Sequence, residues 1–148
     1  MKKISGFSLI ELIVVIVVLS IVAASVSLFM PARTVYQSDG FADVFLQDLR
    51  FTQLLSMSQN QRYKLIVNAG SYQIQNQSSV VFNNPETGAA TNVYPAGVTI
   101  TPTGTYNFDS IGVPYNNGVA LAAVLNFSVT AGTTTTTVSI TPGTGFIQ

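Results

Sequence analysis

Three patterns of apolar and polar positions follow one another along the chain. From Phe7 to Met30 the residues are almost continuously apolar, and Glu11 is the only charged residue among them. As a helix rising ~1.5 Å per residue this run would measure ~36 Å, longer than the ~30 Å hydrocarbon core of a bilayer. From about Thr34 to Gln61 the pattern becomes amphipathic. Phe41, Val44, Phe45, Leu49, Thr52 and Leu55 recur at steps of three and four, with Asp39, Asp43, Gln47 and Arg50 on the other face. This predicts a helix with one packed stripe and one wet stripe, on which Asp39, Asp43 and Asp48 look like the wet side. Pro31 marks the change of composition and predicts a kink. Gly40 weakens the helix locally, and Ser38 or Asp39 before it could restart it as an N-cap.

After Arg62 the period falls to two. Tyr63–Val67 and Tyr72–Gln75 flank Asn68-Ala69-Gly70-Ser71, a hairpin signal with glycine where positive φ is expected. Ser79–Phe82 reads as a short strand, and Asn83-Asn84-Pro85-Glu86-Thr87-Gly88 as a loop of turn formers. Val93-Tyr94 and Gly97–Thr101 predict a strand or a pair interrupted at Pro95. Tyr106–Asp109 leads into the Gly, Pro and Asn residues of 112–118, which read as a further loop. Ala123–Val129 and Thr135–Ile140 flank Ala131-Gly132 and predict an antiparallel hairpin. The Thr133–Thr137 run could be a flexible tip or carry glycans, but β-branched residues beside a strand predict strand. Phe146 and Ile147 are expected to pack back on the core. A helix followed by antiparallel strands predicts an α+β head, residues 31–148, with its helix packed on a sheet.

Glu11 is the residue that hydropathy leaves unexplained. A carboxylate inside an apolar helix is costly and calls for a partner, yet no Lys, Arg or His lies in the run. Cutting the chain between Gly6 and Phe7 would create an amino group one helical turn from Glu11. Lys2-Lys3, Gly6, Phe7, a hydroxyl residue and Leu9-Ile10-Glu11 leading into an apolar helix resemble the class III leader of type IV pilins and pseudopilins. The resemblance implies a leader over 1–6, cleavage after Gly6 by a membrane prepilin peptidase and methylation of the Phe7 amino group. It also implies that Glu11 meets the N-terminus of a neighbouring pilin subunit during assembly, and that residues 7–30 form a membrane and filament-core helix. Two plainer readings stand beside it. One is a signal peptide cut near Val22-Ala23-Ala24 or Ala24-Ser25-Val26; the other is a signal anchor with a chance glutamate.

Charge and chemistry narrow the function. The formal net charge is zero and 8% of residues are charged, which offers no footprint for nucleic acid. Arg50, Arg62 and Lys64 could make a small basic patch, or simply be solvated positions near one helix end. Lys2 and Lys3 ahead of the apolar run place the N-terminus in the cytoplasm and the head outside the inner membrane. The chain has no histidine and no cysteine, so the usual bases, thiol nucleophiles and strong zinc ligands are absent; a non-enzyme without metal or other cofactor is expected. Asn83, Asn84 and Glu86 could offer oxygens to calcium, but an ordinary loop is expected there.

Many major pilins close their C-terminal region with a disulfide, from which this chain departs. Leu46–Asn60 before Tyr63-Lys64-Leu65, then Phe108–Gly112 and Val138–Gly145, resemble minor subunits: the H-type pseudopilins of type II secretion and the minor pilins of the mannose-sensitive haemagglutinin pilus. The resemblance implies a minor pilus subunit, or alternatively an H-type pseudopilin or a tip adhesin or DNA-binding pilin. Its implied partners are other subunits, the peptidase, an inner-membrane assembly platform and, before assembly, lipid.

Overall fold

The computed structural model describes residues 8–29, 33–85 and 87–148. Lys2, Lys3, Gly6, Phe7, the expected kink at Pro31 and Glu86 therefore lie outside the described residues. The chain divides into two compact units, Met1–Ala32 and Arg33–Gln148.

The first unit contains helix α1, Leu9–Phe29, 21 residues long. Its described side chains run from Leu9 to Ser25, ~26 Å of helix at ~1.5 Å per residue and a little short of a ~30 Å bilayer core. Among the described residues, no helix is long and apolar enough to cross a membrane.

The second unit starts with helix α2, Arg33–Ser58. It runs unbroken through Gly40, so the expected restart at Ser38 or Asp39 does not occur; Ser38 is buried within the helix instead. The helix ends three residues before the expected Gln61. Asn60 takes φ 50° and the Gln61 N–H reaches back to the Ser56 carbonyl at 3.2 Å, a Schellman closure with asparagine in the left-handed position.

The strands form two antiparallel sheets. In the larger, β1 (Tyr63–Val67) pairs with β2 (Ser71–Gln75) on one side and with β6 (Gly104–Phe108) on the other. The outer edge of β2 carries two short strands, β3 (Val81–Phe82) and β4 (Asn92–Val93), and β6 continues into β7 (Pro114–Asn116) and β8 (Val119–Ala120). The smaller sheet has the order β10-β9-β5, from β5 (Val98–Thr101), β9 (Leu125–Ala131) and β10 (Thr134–Ile140).

The segments around Pro95 form a pair of strands, one of the two arrangements expected, and belong to different sheets, β4 to one and β5 to the other. Two expectations are corrected here. Residues 112–118, read as a loop, contain β7; Pro114 is its first residue, where a missing N–H is tolerated. Asn117 and Gly118, at φ 49° and 83°, make the tight turn from β7 to β8. Gly70 is not among the positive-φ glycines, so the β1–β2 hairpin turns without a left-handed glycine. The β9–β10 hairpin forms as expected around Gly132 at φ 61°, and the threonine run is strand.

Alternation fills the core from both sheets. Leu65, Val67, Tyr72, Ile74, Tyr106 and Phe108 face inward from the larger sheet, and Ile100, Phe127, Val129, Val138 and Ile140 from the smaller. Phe45, Leu49 and Leu55 of α2 join this cluster as the stripe predicts. Phe45 meets Tyr72 and Phe127 edge-on at 5.3 and 5.1 Å, tying the helix to both sheets. Val44 is 37% exposed and lies off the packed face, and of the tail pair Ile147 is buried while Phe146 is 58% exposed.

Candidate functional site

The described beginning of α1 explains Glu11 partly by local chemistry. Ser8 is the N-cap: its Oγ accepts the Glu11 N–H at 3.2 Å, and its carbonyl accepts the N–H groups of Glu11 at 3.1 Å and Leu12 at 3.2 Å. The spacing Ser8-x-x-Glu11 is that of a capping box, with the acid in the first turn where the helix dipole favours negative charge. This S-x-x-E signal is readable in the sequence and was passed over there.

All described side chains from Ser8 to Ser25 are exposed. Leu9 at 77% and Ile10 at 67% flank Glu11, and Ile13, Val17 and Ile21 continue around the cylinder. A helix apolar on every side is stable only when lipid or other helices cover it. Two of its hydroxyls bond back to the helix: Ser20 Oγ donates to the Ile16 carbonyl at 2.7 Å and Ser25 Oγ to that of Ile21 at 2.8 Å. The Ser20 and Ser25 hydroxyls therefore need no water as their acceptor. Chemically, α1 is an apolar rod with one carboxylate one turn from its described start.

Residues 1–27 match the prokaryotic N-terminal methylation motif. The matched span takes in Lys2, Lys3, Gly6, Phe7 and Glu11 and ends inside α1. This motif is the signal of type IV pilins and pseudopilins, and it implies prepilin-peptidase processing and assembly with other pilin subunits. No curated protein and no solved structure matches the chain. The match stops short of the head, where function must be read from the residues themselves.

The head contains a polar centre that the helical pattern assigns to solvent. Asp39 and Asp43 are exposed as expected, but Asp48 is 5% exposed. Its Oδ2 accepts the Tyr72 hydroxyl at 2.5 Å and the Asn92 amide at 3.1 Å, and the Asn84 amide donates to both its oxygens at 3.0 Å. The seam continues one turn at a time. Thr52 Oγ1 donates to the Asp48 carbonyl, Ser56 Oγ to the Thr52 carbonyl, and Ser56 Oγ accepts the Tyr63 N–H at 3.1 Å. Asp48, Thr52 and Ser56 are all buried at steps of four. Asp48 thus fastens β2, β4 and the 83–92 loop to the helix, which is a structural task.

Other candidates are similarly occupied. Arg50 donates to the Ile147 carbonyl at 2.8 Å, Arg62 lies 4.9 Å over the Tyr115 ring and Lys64 donates to Ser79 at 2.8 Å. Each cation has its own partner on a different element. Asp109 Oδ1 accepts the N–H groups of Ile111 and Val113 at 3.0 and 2.8 Å, holding its own loop. Asn84 turns its amide to Asp48, and among the described residues no acidic or histidine cluster could hold a metal. Burial pushes the Tyr94 hydroxyl up to about 12 and raises that of Tyr106.

Proposed function

We propose that this chain is a minor structural subunit of a type IV pilus, cut after Gly6, methylated on the Phe7 amino group and assembled through its N-terminal helix. The observation that carries the reading is Glu11: a single carboxylate in the first turn of a helix whose described apolar surface is uncovered, inside the matched methylation motif. In this reading α1, continued by residues outside the described set, waits in the inner membrane with Lys2 and Lys3 on the cytoplasmic side. It then moves into a bundle of like helices on an inner-membrane assembly platform. Lipid is exchanged for protein with little change in apolar burial. Packing and the contact of Glu11 with a neighbouring N-terminus therefore decide the register.

An H-type pseudopilin of a secretion machine is the second reading. The C-terminal tail favours a minor subunit or pseudopilin over a major pilin, because hydrogen bonds rather than a disulfide close it: Ser139 and Gln148 exchange two, at 2.7 and 3.0 Å. The zero net charge argues against a DNA-binding tip. The same low charge and the partnered polar groups of the head support a role in structure rather than catalysis.

The deciding measurement is the N-terminal residue and intact mass of the chain from its native membrane fraction. A start at Phe7 with one added methyl group supports the proposal; a start at Met1 or near Ala24 overturns it. Replacing Glu11 with leucine should leave cleavage intact and lower incorporation into filaments. Wild-type incorporation would remove Glu11 from the mechanism.

A further inference from the structure

One pair of neighbours in the head is set to react with itself. Asn117-Gly118 is the only asparagine–glycine step in the chain, and it forms the two-residue turn between β7 and β8 with both residues exposed. Among the described residues, neither the Asn117 side chain nor the Gly118 N–H makes a hydrogen bond. The arm beyond the turn is weakly attached. Strand β8 is two residues long at the end of the larger sheet, Val119 is 72% exposed, and one further bond, from the Leu121 N–H to the Pro114 carbonyl at 3.0 Å, follows it. Short edge segments with little buried contact are the first to open.

The other asparagines lack one part or another of this arrangement. Asn84 precedes Pro85, whose nitrogen carries no hydrogen. Asn76 Oδ1 holds the Val80 N–H, and Asn92 gives its amide to Asp48. Asn107 and Asn126 lie within β6 and β9, each followed by a fully buried phenylalanine. The rest precede residues that carry a Cβ. Glycine matters at the next position because it brings no Cβ to crowd a ring closing on its nitrogen and leaves φ free.

We propose that Asn117 is a site of spontaneous deamidation through a cyclic imide, entered when the β7–β8 hairpin opens. The Gly118 nitrogen loses its proton to hydroxide and attacks the Asn117 side-chain carbonyl carbon. A C–N bond forms, the bond to Nδ2 breaks, and ammonia leaves with a proton taken from water. Water then opens the five-membered ring at either carbonyl. Opening at the side-chain carbonyl gives aspartate, and opening at the main-chain carbonyl gives isoaspartate. No oxidant or second substrate is needed. The formally neutral chain gains one negative charge. Isoaspartate also adds a main-chain carbon to a two-residue turn, which then cannot keep Asn116 opposite Val119. The inference goes beyond the pilin-type reading and does not depend on it.

Peptide mapping by mass spectrometry tests it on the full chain, incubated in detergent at neutral and mildly alkaline pH beside the same chain unfolded in urea. The peptide carrying Asn117 should gain about 1 Da and separate into aspartate and isoaspartate forms. The gain should rise about tenfold per pH unit, because the nitrogen must lose a proton first. The folded chain should convert about tenfold more slowly than the unfolded one, the open fraction expected of a two-residue edge strand. No conversion in the folded chain while the unfolded chain converts by half would overturn the proposal. So would a product that is aspartate alone, since direct hydrolysis makes no isoaspartate. Asn117→Gln should abolish the gain over the same period, because its longer side chain must close a larger ring. A gain that persists in that variant, at Asn116 or elsewhere, would also overturn the assignment.

Discussion

Replacing Asp48 with alanine tests whether the polar centre beneath α2 holds the head together. The substitution strips the acceptor from the Tyr72 hydroxyl and the Asn84 amide, on residues 0% and 2% exposed, and from the half-buried Asn92. A buried donor left without a partner costs about 1–3 kcal/mol. The two deeply buried donors alone therefore give ~2–6 kcal/mol, and ~3–4 is the working value. For a domain of this size 1 kcal/mol moves the melting temperature by about 4 °C, so the variant should melt ~12–16 °C below the parent. Asp48→Asn can keep an oxygen at the Oδ2 position, where Tyr72, Asn92 and Asn84 donate, and sets an amide NH2 against the Asn84 amide at the Oδ1 position. It should cost about 1–2 kcal/mol. The assay is thermal unfolding of the full chain in detergent, followed by circular dichroism. An alanine variant within 1 kcal/mol of the parent, or an asparagine variant as damaged as alanine, would refute this account of the centre.

Three further outcomes follow from the same packing. Gly145→Ala would place a Cβ 2.2 Å from the Gly112 carbonyl and 2.5 Å from the Gln53 amide that bridges both loops, so it should cost more than ~2 kcal/mol. Gly143→Ala meets nothing within 4 Å and carries only the strain of φ 75°, about 1 kcal/mol; equal melting of the two variants would contradict the close approach. Gly40→Ala, inside α2 with nothing within 4 Å, should raise stability by ~0.5–1 kcal/mol in denaturant titration, and destabilisation would show that Gly40 has a packing role. The Tyr94 hydroxyl is raised from 10.0 to about 12 by burial, so the unfolded chain releases this proton first and stability should fall as pH climbs from about 10 toward 12. Absorbance titration should show a tyrosine step near 12 that is missing in Tyr94→Phe; an unchanged titration curve in that variant would refute the assignment.

What the sequence determined by itself is the chemistry carried by neighbours along the chain. The apolar run with its lone Glu11, the Ser8 cap, the packed stripe of Phe45, Leu49 and Leu55, and the Gly132 hairpin all depend on residues within a few positions of one another. Local periodicity and turn preference suffice for them. The Ser8 cap was passed over although its signal is local, and the Asn117-Gly118 turn of the same class was missed because the surrounding Gly, Pro and Asn residues read as loop. Only the tertiary structure decided the rest. Asp48 is buried because donors 24, 36 and 44 residues away converge on it, and a helical wheel registers the acid but not the partners. Val93 and Val98 look alike in sequence but enter different sheets, since Val93 pairs with Ser71 of β2 and Val98 with Ala131 of β9, partners far from both along the chain. Ile147 is buried and Phe146 is not because the tail bridges Ile140 in a register that turns one side chain inward and the next outward. Burial of a polar group and choice of strand partner are properties of pairs distant in sequence, and their energy exists only once the chain has closed on itself.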